Sequence, residues 1–301
     1  MPSFDRAIDN PRGLNRGVRL ANTFSFPVRA ASGVRIHPTA IVDATAVLGT
    51  DVEIGPFSIV EPRAHLGDRT RLLASAVVAA GTEVGPDCEI HFGAVVGHTP
   101  QIREHTTSTG GTVIGARTIV REYATVHRAS RAGGKTLIGC DNFLMGACHV
   151  AHDCRTGEGV TIANGALLAG CVSVGNKVFI SGNVLIHQFV QIGDLAMISG
   201  GAQVGQDVPP YMVAFGRSKI CGVNVIGMRR ANMSTEQRQR VRRAYHTLYR
   251  SGHGPARALE RLREEPSSPE IEALLRFITA STRGLCRPRS RRLQADQDDG
   301  F

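Results

Sequence analysis

The sequence of 301 residues lacks tryptophan and has only four tyrosines, so it offers few aromatic rings on which nucleic-acid bases could stack. It also lacks any stretch close to the roughly 18 consecutive apolar residues of a membrane-spanning helix. Its N-terminal segment has no apolar core of the kind found in secretory signals. These absences argue against nucleic acid as a partner and against a membrane span, and they predict a cytoplasmic protein.

The seven cysteines are an odd number, and none has a CxxC spacing. This pattern argues against a disulfide framework and against a zinc knuckle, so we expect reduced thiols. The formal net charge is +9, and much of it comes from arginines near the two ends of the chain. A basic surface suits an acidic partner, but charge alone does not choose between nucleic acid, a nucleotide and an acidic carrier protein.

The sequence does contain a repeat: a large aliphatic residue recurs every six residues. Counted by sixes from Ile36 to Val204, the series has 29 positions, and the exceptions to Ile, Leu or Val are Ser108, Ala132 and Thr156. Small residues fill a second register two positions earlier. Glycine often follows the large aliphatic residue, as at Gly67 and Gly139.

Neither the 3.6-residue period of a helix nor the two-residue period of a flat strand produces this pattern. Short strands joined by turns every six residues do, with the aliphatic residue and the residue two before it both pointing inward. Three such sides make an 18-residue coil, and we expect the glycines at corners that need unusual backbone angles. The period therefore predicts a mainly β protein, a parallel β-helix of hexapeptide repeats with about nine coils over residues 36–204.

The pattern divides the chain into four parts. An N-terminal extension, residues 1–33, precedes a β-helix of residues 34–210, in which residues 99–112 and 127–136 are polar, glycine-rich loops. After the run VPPYM the pattern becomes helical, and Ser234 with Gln237 resembles a capping box. We expect a C-terminal α-helical domain over residues 211–286 and a basic disordered tail over residues 287–301.

The stretch HVAHDC places His149, His152 and Asp153 on outward positions of the register, whereas Cys148 and Cys154 fall inward. Residues 18 apart should lie one above the other in adjacent coils, about 4.8 Å apart. This rule stacks His152 with Gly170 and then Gln188, and it stacks Asp153 with Cys171. The predicted outward column consists of His152, Asp153, Gly170, Cys171, His187 and Gln188.

The residues alone leave three interpretations of this column open. A neutral imidazole oriented by a carboxylate suits general-base catalysis, because its ordinary pKa lies near physiological pH. A zinc site would need His149, His152 and His187 to converge, as in zinc-dependent β-helix hydratases, but no further cysteine or carboxylate completes the tetrahedron. Histidines that only form hydrogen bonds at a subunit interface would belong to a non-catalytic assembly protein.

Several segments resemble, in order and spacing, the UDP-N-acetylglucosamine 3-O-acyltransferases of lipid A biosynthesis. They are DNFLMGACHVAHDC, LLAGCVSVGN, IHQFVQIGD, QDVPPYMVAFG, GVNVIGMRR and AYHTLYRSG, and the similarity extends over residues 36 to about 285. The resemblance implies a homotrimer of left-handed β-helices with active sites between subunits. It also implies transfer of an acyl chain from acyl carrier protein to a sugar hydroxyl, with no cofactor and no metal.

By that resemblance His152 is the general base, Asp153 orients it and the Gly170 N–H holds the oxyanion. No enzyme nucleophile is needed, because a thioester is already activated. The resemblance also implies substrate-binding or supporting positions at His149, Cys171, His187, Gln188, Asn224 and Arg230, and a position at the floor of the acyl pocket at Gly200.

Four positions depart from the family pattern. Ile102 and Glu104 stand in a PQIRE run where the family has a PQDLKY-like run, Cys171 replaces a histidine, and Ile226 replaces the glutamate of a GVNIEG pattern. Each polar partner left unpaired costs ~1 to 3 kcal/mol. We therefore expect the chemistry to be kept and the acceptor to be another hydroxyl or amine. Ordinary 3-O-acylation of UDP-N-acetylglucosamine is the first alternative, and zinc-dependent hydration of the carbonic anhydrase type is the second.

The donor is expected to be acyl carrier protein rather than free coenzyme A. The arginine-rich segment 229–243 would offer a positive surface to an acidic carrier.

Overall fold

The computed structural model describes residues 29–103 and 110–289. Within these two ranges the chain forms thirty strands and four helices. The strands of the first half are β1 Arg29–Ala30, β2 Arg35–Ile36, β3 Ile41–Val42, β4 Val47–Leu48, β5 Glu53–Ile54, β6 Ile59–Val60, β7 His65–Leu66, β8 Arg71–Leu72, β9 Val77–Val78, β10 Thr82–Val84, β11 Glu89–Ile90, β12 Val95–His98, β13 Gly111–Ile114, β14 Ile119–Val120 and β15 Thr125–His127. The remaining strands are β16 Lys135–Ile138, β17 Phe143–Leu144, β18 His149–Val150, β19 Arg155–Thr156, β20 Thr161–Ile162, β21 Leu167–Leu168, β22 Ser173–Val174, β23 Phe179–Ile180, β24 Leu185–Ile186, β25 Gln191–Ile192, β26 Met197–Ile198, β27 Gln203–Val204, β28 Met212–Phe215, β29 Lys219–Val223 and β30 Arg287–Pro288.

Strands β1 to β27 wind around one core, and each of three sheets receives every third strand. Sheet A runs β1, β4, β7 and so on to β25, sheet B runs β2, β5, β8 and so on to β26, and sheet C runs β3, β6, β9 and so on to β27. Adjacent coils pair in parallel, for example Ile41 with Ile59 and His149 with Leu167. The predicted left-handed parallel β-helix of hexapeptide repeats, with a C-terminal α-helical domain, is confirmed.

The aliphatic series fills the interior of the β-helix. Leu66, Ile90, Leu144 and Ile180 are fully buried, and so are the inward thiols Cys88 and Cys154. Truncating one such leucine to alanine costs ~2 to 5 kcal/mol, so the core series fixes the register of every coil. All seven cysteines are free thiols, as expected.

Two loops interrupt the coils without disturbing the period. Val95 pairs with Thr125, and Thr125 pairs with His149, so these neighbours are 30 and 24 residues apart instead of 18. Both insertions are multiples of six, which is why the aliphatic count continues through them. The loops are shorter than predicted, because Gly111 and Lys135 already belong to strands.

The role expected for the glycines after the aliphatic residues was wrong. Of this set, only Gly97 has a positive φ; the left-handed position lies two residues further on and is usually occupied by another residue type, such as Asp51 or Arg69. The glycines are needed because the next coil approaches closely. A Cβ on Gly67 would lie 2.6 Å from the backbone nitrogen of Pro86, and one on Gly139 would lie 2.2 Å from the carbonyl oxygen of Gly157.

The C-terminal region begins with a hairpin before it becomes helical. Strand β28 extends sheet B in parallel with β26, and β29 returns antiparallel to β28. The helices are α1 Val225–Arg230, α2 Thr235–Tyr249, α3 Pro255–Glu264 and α4 Pro269–Ala280. The capping box of Ser234 and Gln237 is confirmed at the start of α2. None of the helices in the described ranges has the length and apolarity needed to cross a bilayer.

The two ends of the described chain differ from the sequence-based boundaries. Strand β1 pairs with β4 and lies within the segment predicted as an N-terminal extension. Arg287 and Pro288, predicted to be part of a disordered tail, form β30 and pair with Lys219 and Ile220. The rest of the predicted extension, residues 1–28, and of the tail, residues 290–301, lies outside the described residues.

Candidate active site

The candidate site lies at one corner of the β-helix, where the chain leaves sheet C and enters sheet A. We call this the C–A corner. The chain reaches this corner after β12, after β15 and after β18, with residues 128–134 between β15 and β16 and residues 151–154 between β18 and β19. The loop of residues 128–134 therefore leaves the β-helix one coil before the corner that carries His152 and Asp153, and β12 ends at this corner two coils before it.

His152 and Asp153 form a hydrogen-bonded pair at this corner. Consecutive side chains of a strand would point to opposite faces, but the left-handed backbone of Asp153, with φ of 60°, turns the chain here. His152 Nδ1 lies 2.7 Å from Asp153 Oδ2. Because a carboxylate only accepts, Nδ1 carries the proton and the lone pair of the neutral ring is left on Nε2. No group in the described ranges forms a hydrogen bond with that Nε2.

Asp153 is held from the loop of residues 128–134. The Ser130 hydroxyl and backbone N–H donate to Asp153 Oδ2 over 2.7 and 3.1 Å, and the Asp153 N–H donates to Thr136 Oγ1 over 2.8 Å. Burial raises the pKa of Asp153, but the hydrogen bonds from Ser130 and His152 outweigh this and lower the pKa overall. The carboxylate is thus ionised at neutral pH. The sequence did not indicate Ser130, because the period does not say which loop residue turns back onto the corner.

Gly170 lies against the ring of His152. A Cβ here would be 2.5 Å from both Cε1 and Nε2 of the ring, so any side chain would displace it. At the same position of some other turns there is a proline without an N–H, as at Pro86, or an N–H that donates to a side chain, as Asn176 does to Asp194; at others, as at Ala116, the N–H has no partner in the described ranges. The Gly170 N–H has no such partner among the described residues. It is therefore a free donor beside the histidine, able to hold a developing oxyanion.

The predicted stacking of the column is confirmed by backbone hydrogen bonds. The Cys171 N–H donates to the carbonyl of His152 over 3.0 Å, and the Phe189 N–H donates to the carbonyl of Gly170 over 3.1 Å. Cys171 thus lies one coil above Asp153, and exposed Phe189 lies one coil above Cys171. Burial, followed by the charge of Asp153, raises the pKa of the Cys171 thiol, so the thiol is neutral at neutral pH.

A row of histidines leads away from His152 along sheet C. The rings of His127 and His149 are 5.2 Å apart, and those of His98 and His127 are 6.5 Å apart. His127 Nδ1 donates to the carbonyl of Thr99 over 2.5 Å, which again leaves its Nε2 as the free nitrogen. Burial and neighbouring histidine charges lower the pKa of His127 and of His149. Sequence reasoning missed His98 and His127, although both end a strand of sheet C before a loop.

The other predicted site residues lie further along the chain. His187 Nδ1 is 3.3 Å from Arg283 Nη2, a residue that the sequence did not indicate. Asn224 is buried and caps α1, with Oδ1 accepting from the Gly227 N–H over 2.9 Å and Nδ2 donating to the Leu195 carbonyl over 2.8 Å.

Arg230 is exposed at the end of α1, and a Cβ on Gly200 would meet only the Gly182 carbonyl, at 3.6 Å, and the Ser181 side chain. Within the described ranges, no hydrogen bond or ion pair links Asn224, Arg230 or Gly200 to the column of His152.

The three histidines of the zinc-hydratase hypothesis do not converge. His149 Nδ1 lies 2.8 Å from Thr125 Oγ1, and His187 Nδ1 lies 3.2 Å from the Gln188 carbonyl oxygen. In the part of the chain that the structure describes, the group that brings three possible metal ligands within 4.8 Å of one another is His152, Asp153 and Cys171. Within the described residues of one chain, His149, His152 and His187 therefore do not form a tris-histidine zinc centre of the hydratase type.

Three of the four departures from the family pattern lie within the described residues. Ile102 is half-buried at the start of the first loop, Cys171 stands in the column, and Ile226 is 63% exposed in α1. Glu104 lies outside the described residues.

A family model, relatives of known name and solved structures all indicate the same family. The family model described as Udp N-acetylglucosamine O-acyltransferase, Domain 2, matches residues 207–286. A relative from Thermodesulfovibrio yellowstonii, named acyl-(acyl-carrier-protein) UDP-N-acetylglucosamine O-acyltransferase, is 51% identical over 156 residues. That match spans 51% of this chain and 60% of the relative's length.

Solved structures extend the similarity over almost the whole length of their chains. A UDP-N-acetylglucosamine acyltransferase from Campylobacter jejuni matches with a TM-score of 0.80 and 33% identity, over 85% of this chain and 100% of that one. LpxA, a UDP-N-acetylglucosamine acyltransferase from Bacteroides fragilis, matches with a TM-score of 0.77 and 36% identity, over 85% and 98% of the two chains.

Proposed function

The chain belongs to the UDP-N-acetylglucosamine acyltransferase family, and we propose that it transfers an acyl chain from a thioester of acyl carrier protein to an acceptor hydroxyl or amine. One observation carries the proposal. His152 has its Nδ1 held by Asp153 at 2.7 Å and its unpartnered Nε2 against Gly170, whose N–H is also unpartnered among the described residues. A base and an oxyanion donor side by side suit acyl transfer.

In the proposed mechanism the acceptor attacks the thioester carbonyl directly. His152 Nε2 takes the proton of the acceptor as the new carbon–oxygen or carbon–nitrogen bond forms. The Gly170 N–H donates to the oxygen that becomes negative, and ionised Asp153 stabilises the imidazolium. The carbon–sulfur bond then breaks, and the carrier's thiolate leaves and takes the proton from His152. No enzyme nucleophile and no cofactor are needed, because the thioester is already activated.

UDP-N-acetylglucosamine is the first candidate for the acceptor. The names of the matching relatives and solved structures carry this nucleotide sugar, and the matched structures are covered almost completely. The free N–H of Gly170 and the dyad are independent of which acceptor binds. They support acyl transfer as the reaction, and they do not identify the acceptor.

A different hydroxyl or amine acceptor is the second candidate. It rests on the apolar side chains of Ile102 and Ile226 and on the thiol of Cys171, which stand where the family pattern has polar groups. Ile226 is 63% exposed, so it would present a methyl surface to a ligand instead of a carboxylate. A polar group of the nucleotide sugar left without its partner costs ~1 to 3 kcal/mol.

Calorimetric titration with UDP-N-acetylglucosamine, followed by turnover with a panel of acyl carrier thioesters, tests both the function and the acceptor. Tight binding with efficient 3-O-acylation supports the first candidate. Weak binding with turnover of another alcohol or amine supports the second. Absence of turnover with every acceptor and thioester would contradict the proposed acyl transfer.

We propose acyl carrier protein as the donor because α2 presents an exposed basic surface. Arg242 and Arg243 are exposed, and neither forms an ion pair within the described ranges. Reversing both charges should raise the apparent KM for the carrier thioester and leave the KM for a coenzyme A thioester unchanged. An unchanged carrier KM would contradict this docking surface.

The proposed assembly is a homotrimer that closes the site between subunits. The outward residues of sheet C form an apolar stripe in which Ile41, Leu167 and Leu185 are 65%, 43% and 43% exposed. His149 stacks directly on Leu167 in the same stripe, so a neighbouring copy on this face would reach the histidine row. Sedimentation velocity should give the mass of three chains, and a monomer at micromolar concentration would contradict the proposal.

A further inference from the structure

A thiol lies within reach of the catalytic pair proposed above. One ring nitrogen of His152, one carboxylate oxygen of Asp153 and Sγ of Cys171 lie within 4.8 Å of one another, and the three residues are half-buried. The backbone fixes this arrangement, since the Cys171 N–H donates to the His152 carbonyl over 3.0 Å. The three side chains are therefore neighbours by the construction of the coil.

Few hydrogen bonds stand in the way of an ion at this group. The hydrogen bonds that Asp153 accepts from Ser130 and His152 all go to Oδ2, which leaves Oδ1. Cys171 Sγ forms no hydrogen bond with any group in the described ranges. Asp153 lies on the Nδ1 side of the His152 ring, 2.7 Å from that nitrogen. An ion shared by the three residues would therefore bind Nδ1 and replace the proton there, while the hydrogen bonds from Ser130 to Asp153 remain.

We propose that His152, Asp153 and Cys171 bind a divalent transition-metal ion, Zn²⁺ above all, as an inhibitor rather than a cofactor. Imidazole, carboxylate and thiolate are the ligands of tetrahedral zinc, at about 2.0 to 2.3 Å. These bond lengths place tetrahedral donors about 3.3 to 3.8 Å apart, so the side chains close by roughly 1 Å around the ion. The Cys171 thiol releases its proton to solvent as it binds, and the fourth position is left to water.

The consequence for activity rests on the proposed function. An ion on His152 Nδ1 leaves the proton of the neutral ring on Nε2, which removes the lone pair that would take the acceptor's proton, so the metal-bound enzyme has no general base. The inhibition is reversible, because a chelator removes the ion and restores the lone pair. Cys171, which supplies the thiolate ligand, is one of the four positions at which this chain departs from the family pattern.

The binding test uses Co²⁺ as a spectroscopic probe on the full chain after treatment with a chelator. We expect one ion per chain with a thiolate-to-cobalt charge-transfer band, and displacement of that band by Zn²⁺. Cys171→Ser should remove the band and weaken Zn²⁺ binding by roughly tenfold or more. Cys140→Ser is the matched control, because Cys140 is also a half-buried free thiol but belongs to no such group in the described ranges. A wild-type titration without the band, or a band that survives in Cys171→Ser, would overturn the site.

The activity test separates the site from the proposed function. Zn²⁺ at the concentration that fills the site should abolish acyl transfer by the wild type, and a chelator should restore it. Each variant is compared with its own metal-free rate. A charge-transfer band without any metal-free turnover would leave the metal site standing and contradict the acyltransferase proposal. Metal binding that leaves turnover unchanged would overturn the inhibitory role.

Discussion

Two corners of the same β-helix have the same backbone conformation, but their polar side chains differ in whether they are paired. At the corner where the chain passes from sheet A to sheet B, residues 51, 69, 87, 117 and 141 all have φ between 55° and 58°. At the C–A corner, Asp153 and Cys171 have φ of 60° and 62°. The two backbones are thus nearly superimposable in this angle, so the fold alone does not decide which corner is reactive.

The difference lies in which polar groups are satisfied. At the A–B corner Arg69 forms a two-point ion pair with Asp87 at 2.6 and 2.8 Å, and Arg117 forms one with Asp141 at 2.6 and 2.7 Å. At the C–A corner Ser130 holds Asp153 on one side, while the histidine lone pair is left without a partner among the described residues. A corner becomes a candidate site when a loop satisfies part of its polar groups and leaves a base open.

Removing the unpaired base, His152, should have the largest effect on activity. His152→Ala should lower kcat/KM for acyl transfer by roughly two to four orders of magnitude, because no other group takes the acceptor's proton. His65→Ala is the matched control, since His65 is an exposed histidine on sheet A. Steady-state assays with the fold checked by circular dichroism measure the effect. A variant as active as the His65 control would contradict the general-base role.

Filling the space beside the base should have the next largest effect. The Cβ of Gly170→Ala would lie 2.5 Å from His152 Nε2, so the ring must move away from its position against Gly170. A displacement of about 1 Å costs roughly 10²-fold in rate.

The control for Gly170→Ala is Gly182→Ala, at the same position of another corner. Its Cβ meets only the Asn164 carbonyl oxygen, at 3.3 Å. Kinetics of both variants, with thermal unfolding to confirm the fold, measure the difference. Equal rates for the two would show that the close approach at Gly170 has no catalytic consequence.

Removing a hydrogen bond to the Asp153 carboxylate should lower the stability of the protein by an amount that depends on pH. Ser130→Ala removes a hydrogen bond to ionised Asp153, which is expected to cost about 1.5 kcal/mol at neutral pH. The folded-state pKa of Asp153 is lowered, so its contribution is present above the unfolded pKa of about 3.9 and is lost as pH falls through the folded value.

In Ser130→Ala the pKa of Asp153 should rise toward its ordinary value. The stability difference from the wild type should therefore be largest at neutral pH and shrink below pH about 4. Urea unfolding across this range measures it, with Ser75→Ala as a corner serine that forms no side-chain hydrogen bond in the described ranges. A difference that grows in acid would contradict the assigned hydrogen bond.

The sequence predicted most of the fold and the centre of the site for one physical reason. A strict period of six sets the register, so the stacking of residues such as His152, Gly170 and Cys171 follows from their positions in the sequence. The same period hides insertions of six or twelve residues, which is why the loop boundaries were too wide. It also does not distinguish a glycine needed for its φ from one needed for close packing, as at Gly67 and Gly139.

Contacts made by non-periodic segments could not be predicted in this way. Ser130 reaches Asp153 from a loop, and Arg283 reaches His187 from the segment after α4, so neither follows from the spacing of the repeat. The burial of Asn224 as a helix cap is set by the packing of α1 against the end of the β-helix. The period thus predicts which residues face outward, and tertiary contacts decide which of them are free.

The smallest expected effect comes from the A–B corner, where the charged side chains are already paired. Arg117→Ala removes both hydrogen bonds to Asp141, but the two side chains are exposed and their attraction is screened by water and salt. We expect no resolvable change in kcat/KM and only a slight lowering of Tm that disappears at high salt. A clear loss of activity in Arg117→Ala, measured beside His152→Ala under the same conditions, would contradict the contrast between the two corners, because it would show that the satisfied corner also acts on the reaction.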